Sequence, residues 1–95
     1  MTTIKLTEKN PMVLIFDGNI LEIFSSPRQW DFHSERIHLF WLEKFELWGY
    51  KNGTHGVYIR ADGHDKEYPV DENIAPKVKD LIAEVQRAKD AFRFD

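Results

Sequence analysis

Apolar residues recur at strand spacing through the first seventy positions and at helical spacing after that. Residues 13–24 read VLIFDGNILEIF, two β-forming runs on either side of Asp17-Gly18, a dipeptide that favours a two-residue hairpin turn. Such a turn pairs Phe16 with Asn19, Leu14 with Leu21 and Met12 with Ile23, which gathers one apolar face. The other face carries Val13, Ile15, Ile20 and Phe24, with Glu22 its main polar residue. A hairpin with one side in water alternates apolar and polar residues, so the second face of this hairpin calls for a cover.

The flanking pattern predicts further strands. TIKL (3–6) alternates weakly and reads as a first strand, ended by EKNP (8–11). SSPRQWDFHSE (25–35), with Pro27 and serines at both ends, reads as the longest irregular segment. RIHLFWLEKFELWGY (36–50) is strongly β-forming. Within it Ile37, Leu39 and Trp41 share one parity and His38, Phe40 and Leu42 the other. Glu43-Lys44 interrupts the pattern, which predicts two strands or one sharply bent strand. KNG (51–53) is a turn, HGVYIRA (55–61) a strand, and KEYPV (66–70), after DGHD, a last strand. An even-length turn between these two puts Val57, Ile59, Ala61, Tyr68 and Val70 on one face. It also sets Arg60 opposite Asp65 or Glu67, a favourable cross-strand charge pair. Pro69 has no ladder donor, so the last strand is an edge or is near its end there.

The remainder predicts a helix. Ile74, Val78, Leu81, Ile82, Val85, Ala88 and Phe92 form one continuous stripe at helical period. With Asn73 as N-cap, Pro76 falls in the first turn, where no hydrogen bond is lost. Asp71 and Glu72 precede the helix, and Arg87, Lys89 and Arg93 crowd its far end, matching the macrodipole.

About seven short strands followed by one C-terminal amphipathic helix resemble the pleckstrin-homology-like superfold. The phrasing IFDGNILEIF…RIHLFWLEKFEL…GVYIRADG…YPV, followed by APKVKDLIAEVQRA, is similar to the small bacterial members of that group. The resemblance covers nearly the whole chain and rests on the order of elements. It implies an α+β fold, a bent antiparallel barrel or two packed sheets of about seven strands capped by the helix, forming a single domain over 1–95. Two features depart from the family. Its helix usually buries a tryptophan, whereas Phe92 is the only aromatic here before Phe94. Its phosphoinositide-binding members place Lys and Arg around an early hairpin loop, whereas no basic residue lies from Pro11 to Pro27. No lipid-binding residue is carried over.

Composition narrows the partners. Ninety-five residues suit one domain with one core. Thirteen basic residues are spread among sixteen acidic ones, a net charge of −3, which disfavours nucleic-acid binding and leaves membrane binding weak at most. The absence of cysteine excludes disulfides and thiolate metal sites and fits a reducing compartment. No apolar run approaches the ~18 residues of a membrane span and the start MTTIKLTEKN has no signal-peptide core. The expectation is a cytoplasmic protein.

Candidate chemistry is sparse. His33 and His38 are five apart, without the helical spacing of a zinc site. His64 in DGHD sits beside Asp62 and Asp65, but Asp and Gly are also what the turn needs. Ser25, Ser26 and Ser34 lie near Asp31 and His33 in sequence, yet a nucleophilic triad is defined by geometry, and no phosphate-binding glycine loop or nucleophile elbow occurs. The expectation is no enzyme, no metal and no cofactor. The aromatics carry more. Trp30, Phe32, Phe40, Trp41, Phe45, Trp48 and Tyr50 crowd residues 30–50, and Phe40 and Trp41, adjacent in a strand, point to opposite faces. Together these features predict a binding or assembly module that buries an outward apolar face against a protein partner or a second copy. Its interface residues are Val13, Ile15, Ile20, Phe24, Trp30, Phe32 and Trp41. The alternative is a small-ligand or peripheral-membrane binder that uses the aromatic loop.

Overall fold

Two antiparallel sheets and one helix make up the computed structural model, which describes residues 1–7, 12–28 and 31–92. The first sheet runs in sequence order: β1 (Thr2–Thr7), β2 (Met12–Phe16), β3 (Ile20–Arg28) and β4 (Asp31–His38). The second sheet is β5 (Leu42–Gly49), β6 (His55–Ala61) and β7 (His64–Val70). Helix α1 (Ala75–Ala91) follows. This is the expected α+β arrangement in its two-sheet form, and the sheets do not join into a closed barrel. No helix among the described residues is long and apolar enough to cross a membrane.

The opening hairpin keeps the expected face but not the expected register. Phe16 pairs with Leu21, Leu14 with Ile23 and Met12 with Ser25, two residues from the pairing a two-residue turn imposes. Because side chains alternate with period two, a shift of two changes every partner and no facing. Asp17 is the reason. Its Oδ1 accepts from the N–H groups of Asn19 (2.9 Å) and Ile20 (2.8 Å), closing a wider loop in which only Gly18 has positive φ. At the other Asp-Gly, Asp62 and Gly63 both have positive φ (51° and 77°) and Ala61 pairs with His64. That is the two-residue hairpin geometry. β6–β7 therefore has the expected facing, with Val57 opposite Tyr68 and Arg60 opposite Asp65.

Three expectations need correction. Segment 25–35 is mostly strand: β3 extends to Arg28, β4 starts at Asp31, and Arg28 pairs with Asp31 across a slipped ladder. Its described residues lengthen the β3–β4 hairpin. Leu39–Trp41 is a 3-10 turn between β4 and β5, so the chain breaks there, and Glu43 marks only a register slip between Leu42 and Lys44. The His38 side chain opens that turn, its Nδ1 accepting from the Phe40 N–H at 3.1 Å. Lastly, Ile74 rather than Asn73 is the N-cap of α1, and Asn73 sits in the 3-10 turn Glu72–Ile74. Pro76 still falls in the first helical turn.

The core lies between the sheets and under α1. Leu6, Leu14, Phe16, Leu21, Val57, Val78, Leu81 and Val85 are all buried to 2 % exposure or less. Ile74, Ile82 and Ala88 pack against them from the helix edge, which places the predicted stripe on the core. Thr2 Oγ1 donates to the Glu84 carboxylate at 2.8 Å, and Lys89 Nζ donates to the Leu42 carbonyl, so the middle and the C-terminal end of the helix are tied to strands. The Asp71 N–H donates to the Leu6 carbonyl at 2.9 Å, joining the end of β7 to β1.

Candidate functional site

The outer face of the first sheet is an ordered grid. Across it, Lys5, Val13, Phe24 and Ser34 form one row, and Thr3, Ile15, Glu22 and Arg36 the next, with Ile20 and His38 beyond. Val13 and Phe24 are direct cross-strand partners, Ile15 faces Glu22, and Ile20 faces His38. These four apolar side chains are half-buried and none packs against the core cluster. The core cluster and α1 lie on the opposite side of the sheet. The rim carries both signs of charge. Lys5 lies on one side, and on the other Arg36 Nε meets Glu22 Oε2 at 3.3 Å while Ser34 donates to Glu22.

Trp41 belongs to a different place. Its indole is 55 % exposed and Phe40 is 49 % exposed, the two rings meeting edge to face at 5.1 Å. Residues in a 3-10 turn are roughly a third of a revolution apart, so both point outward while Leu39 is buried. The alternation assumed for a strand does not apply. Trp41 lines a cleft of about 710 Å³ between β4 and the β6–β7 hairpin. Ile23, Ile37, Ile59 and Ala61 form its apolar wall, and Arg36, Asp62, His64 and Lys66 its polar rim. Glu35 spans the cleft, forming an ion pair with Lys66 Nζ and accepting from the Tyr68 hydroxyl at 3.3 Å. Burial, and next the nearby Glu35 carboxylate, push Tyr68 up to about 12.

Of the sequence-derived interface residues, the structure brings Val13, Ile15, Ile20 and Phe24 together and sets Trp41 apart in the cleft. Trp30 and the Phe32 side chain lie outside the described residues, though the Phe32 backbone is part of β4. Among the described residues no three metal-ligating side chains converge.

Sequence reasoning passed over a third surface, the outer face of the second sheet. There Trp48 stacks on Tyr58, with centroids 4.4 Å apart and planes 9° from parallel. The signal was present as alternation: Lys44, Glu46 and Trp48 share one parity, and β6 presents Gly56, Tyr58 and Arg60 opposite them. Trp48 Nε1–H donates to Glu46 Oε1 at 3.1 Å, Tyr58 O–H to Asp65 Oδ2 at 2.9 Å, and Tyr50 O–H to Glu67 Oε2. Those hydrogen bonds, to Glu67 and Asp65 respectively, raise the ionisation of Tyr50 and Tyr58 above the usual phenol range. Arg60 does not join Asp65 in the expected charge pair. Its Nε bonds Glu43 Oε2 at 2.8 Å, because the register slip at Glu43 swings that carboxylate toward it.

No family model, no curated protein and no solved structure matches this chain.

Proposed function

We propose that this chain is a non-catalytic binding module of pleckstrin-homology-like architecture that associates with a second copy through the outer face of β1–β4. Seven strands split four and three, followed by a C-terminal helix, support the architecture. One observation carries the function: Val13, Ile15, Ile20 and Phe24 form a contiguous half-exposed patch that no part of the core touches. Its rim holds Lys5 opposite Glu22 and Arg36, and a two-fold copy can set the cation of one chain toward the carboxylate of the other. Such isologous contacts are the commonest in small oligomers. The patch is two strands wide and about two residue pairs long, roughly 10 by 14 Å from strand spacings. That is well short of the ~800 Å² per partner of a stable interface, so association is weak and concentration-dependent.

Sedimentation velocity over a concentration series tests the reading. Wild type shifts toward dimer as concentration rises, and Val13→Glu stays folded and monomeric, since the new carboxylate lies beside Lys5. A wild type that remains monomeric at millimolar concentration refutes it, as does a variant that still dimerises.

A second reading, small-ligand binding, is favoured by the cleft with its apolar wall and Trp41 at the mouth. Ligands of suitable shape would quench Trp41 fluorescence, and Trp41→Phe would remove that response. The same response in both proteins excludes the cleft.

A further inference from the structure

The acids on the outer face of β5–β7 differ from the paired acids elsewhere. Glu22, Glu35 and Glu43 each meet a cation, Arg36, Lys66 and Arg60 respectively. Glu46 and Glu67 meet none among the described residues; their partners are the Trp48 indole N–H and the Tyr50 hydroxyl. Neutral donors hold a carboxylate in place without cancelling its charge. Each group uses one oxygen in this way, which leaves Glu46 Oε2 and Glu67 Oε1 open among the described residues. Charge is therefore balanced at the Arg60 end of the face and negative at the Trp48 end.

The aromatic surface lies between these two carboxylates. Glu46, Tyr58 and Glu67 are consecutive partners across the three strands, and Trp48, Gly56 and Pro69 form the next row. Trp48 is 38 % exposed and Tyr50 45 % exposed. Gly56 makes the arrangement possible, because a methyl group there would run into the Glu67 carboxylate. A flat ring pair with anchored, uncompensated carboxylates on both sides fits a planar cation that stacks and donates in its own plane. Guanidinium does both, whereas an ammonium offers only a point charge.

We propose that the Trp48–Tyr58 face, flanked by Glu46 and Glu67, captures an arginine side chain from an extended segment of a partner protein. Charge complementarity selects the partner, and the face lies on a three-stranded sheet whose edge strands are β5 and β7. This surface belongs to the second sheet, so the proposal stands apart from self-association through the first.

The probe is a capped peptide with one arginine between glycines, compared with its citrulline and lysine counterparts. Binding is read from the Trp48 indole N–H resonance of the whole chain. The arginine peptide shifts that resonance saturably at millimolar concentration or below, while the citrulline peptide, lacking the charge, does not. Trp48→Ala, read from the Gly56 amide, and the double variant Glu46→Gln with Glu67→Gln, read from both resonances, each weaken binding about tenfold. Gln retains an oxygen for the Trp48 and Tyr50 donors, so the double variant keeps its fold. Val13→Glu, on the other sheet, binds as wild type. Equal binding of citrulline or lysine peptides, full affinity in the double variant, or no saturable shift in wild type overturns the proposal.

Discussion

Truncating Leu81 to alanine tests whether α1 closes the core. Leu81 is 1 % exposed on the helix face that meets both sheets, in one cluster with Val78, Val85, Leu6 and Leu14. Leu→Ala removes three carbons from full burial, about 2.4 kcal/mol at ~0.8 kcal/mol per buried methylene. The cavity left behind adds to that, as far as the surroundings fail to close over it. Here the helix has little freedom to settle, since Thr2 bonds Glu84 near its middle and Lys89 bonds the Leu42 carbonyl near its end. The expected loss is about 3–4 kcal/mol, a large share of the ~5–15 kcal/mol that a domain of this size has. Urea unfolding should show a lower midpoint with an unchanged slope, and thermal unfolding a midpoint lower by roughly 15–25 °C. Arg87→Ala, on the exposed side of the same helix, should stay within ~0.5 kcal/mol of wild type. If Leu81→Ala and Val85→Ala both lose less than ~0.5 kcal/mol, the helical stripe is not the seam of the core and the packing described here is wrong.

Three further outcomes follow from individual groups. Hydrogen bonds from the Asn19 and then the Ile20 N–H hold Asp17 below its ordinary carboxylate value of 3.8. A depressed folded-state pKa gives stability that is present above 3.8 and lost as pH falls through the folded value, so Asp17→Ala should flatten that acid limb in pH-dependent melts; an unchanged limb counts against the Asp17 turn. Tyr68 is shifted the other way, to about 12 against 10.0; its contribution is complete below pH 10.0 and lost as pH rises through about 12. Tyr68→Phe should therefore remove a high-pH phenolate step from the ultraviolet titration and reduce the fall of stability over that window, and a step that persists unchanged in the variant would show that another tyrosine carries it. Gly56→Ala should displace the Glu67 carboxylate from Tyr50, bringing Tyr50 ionisation back toward its usual range; a titration identical to wild type would mean that Glu67 accommodates the methyl without moving.

The sequence determined what depends on local periodicity. Strand β6 is found at the predicted residues 55–61, β2 and β3 flank Asp17-Gly18 as predicted, and the helical stripe from Ile74 to Ala88 lies on the core. Facing was equally legible, because it depends only on parity: the register of β2–β3 slipped by two residues and the outward set Val13, Ile15, Ile20 and Phe24 still shares a face. Tertiary structure decided what parity does not encode. The same Asp-Gly pair makes a two-residue turn at 62–63 and a wider loop at 17–18, where the Asp17 side chain captures two backbone amides and the Leu39 N–H reaches the Asn19 carbonyl at 2.9 Å. Nor does a run of β-formers announce a helical turn. Leu39–Trp41 has strand-forming residues, yet it turns where the chain leaves one sheet for the next, sending Phe40 and Trp41 out together. Partner choice among charges was the least legible of all. Arg60 and Asp65 are opposite in register, but Arg60 goes to Glu43 and Asp65 to Tyr58. Long side chains on an exposed sheet choose among several neighbours at similar free energy, and only the packed positions of those neighbours fix the choice.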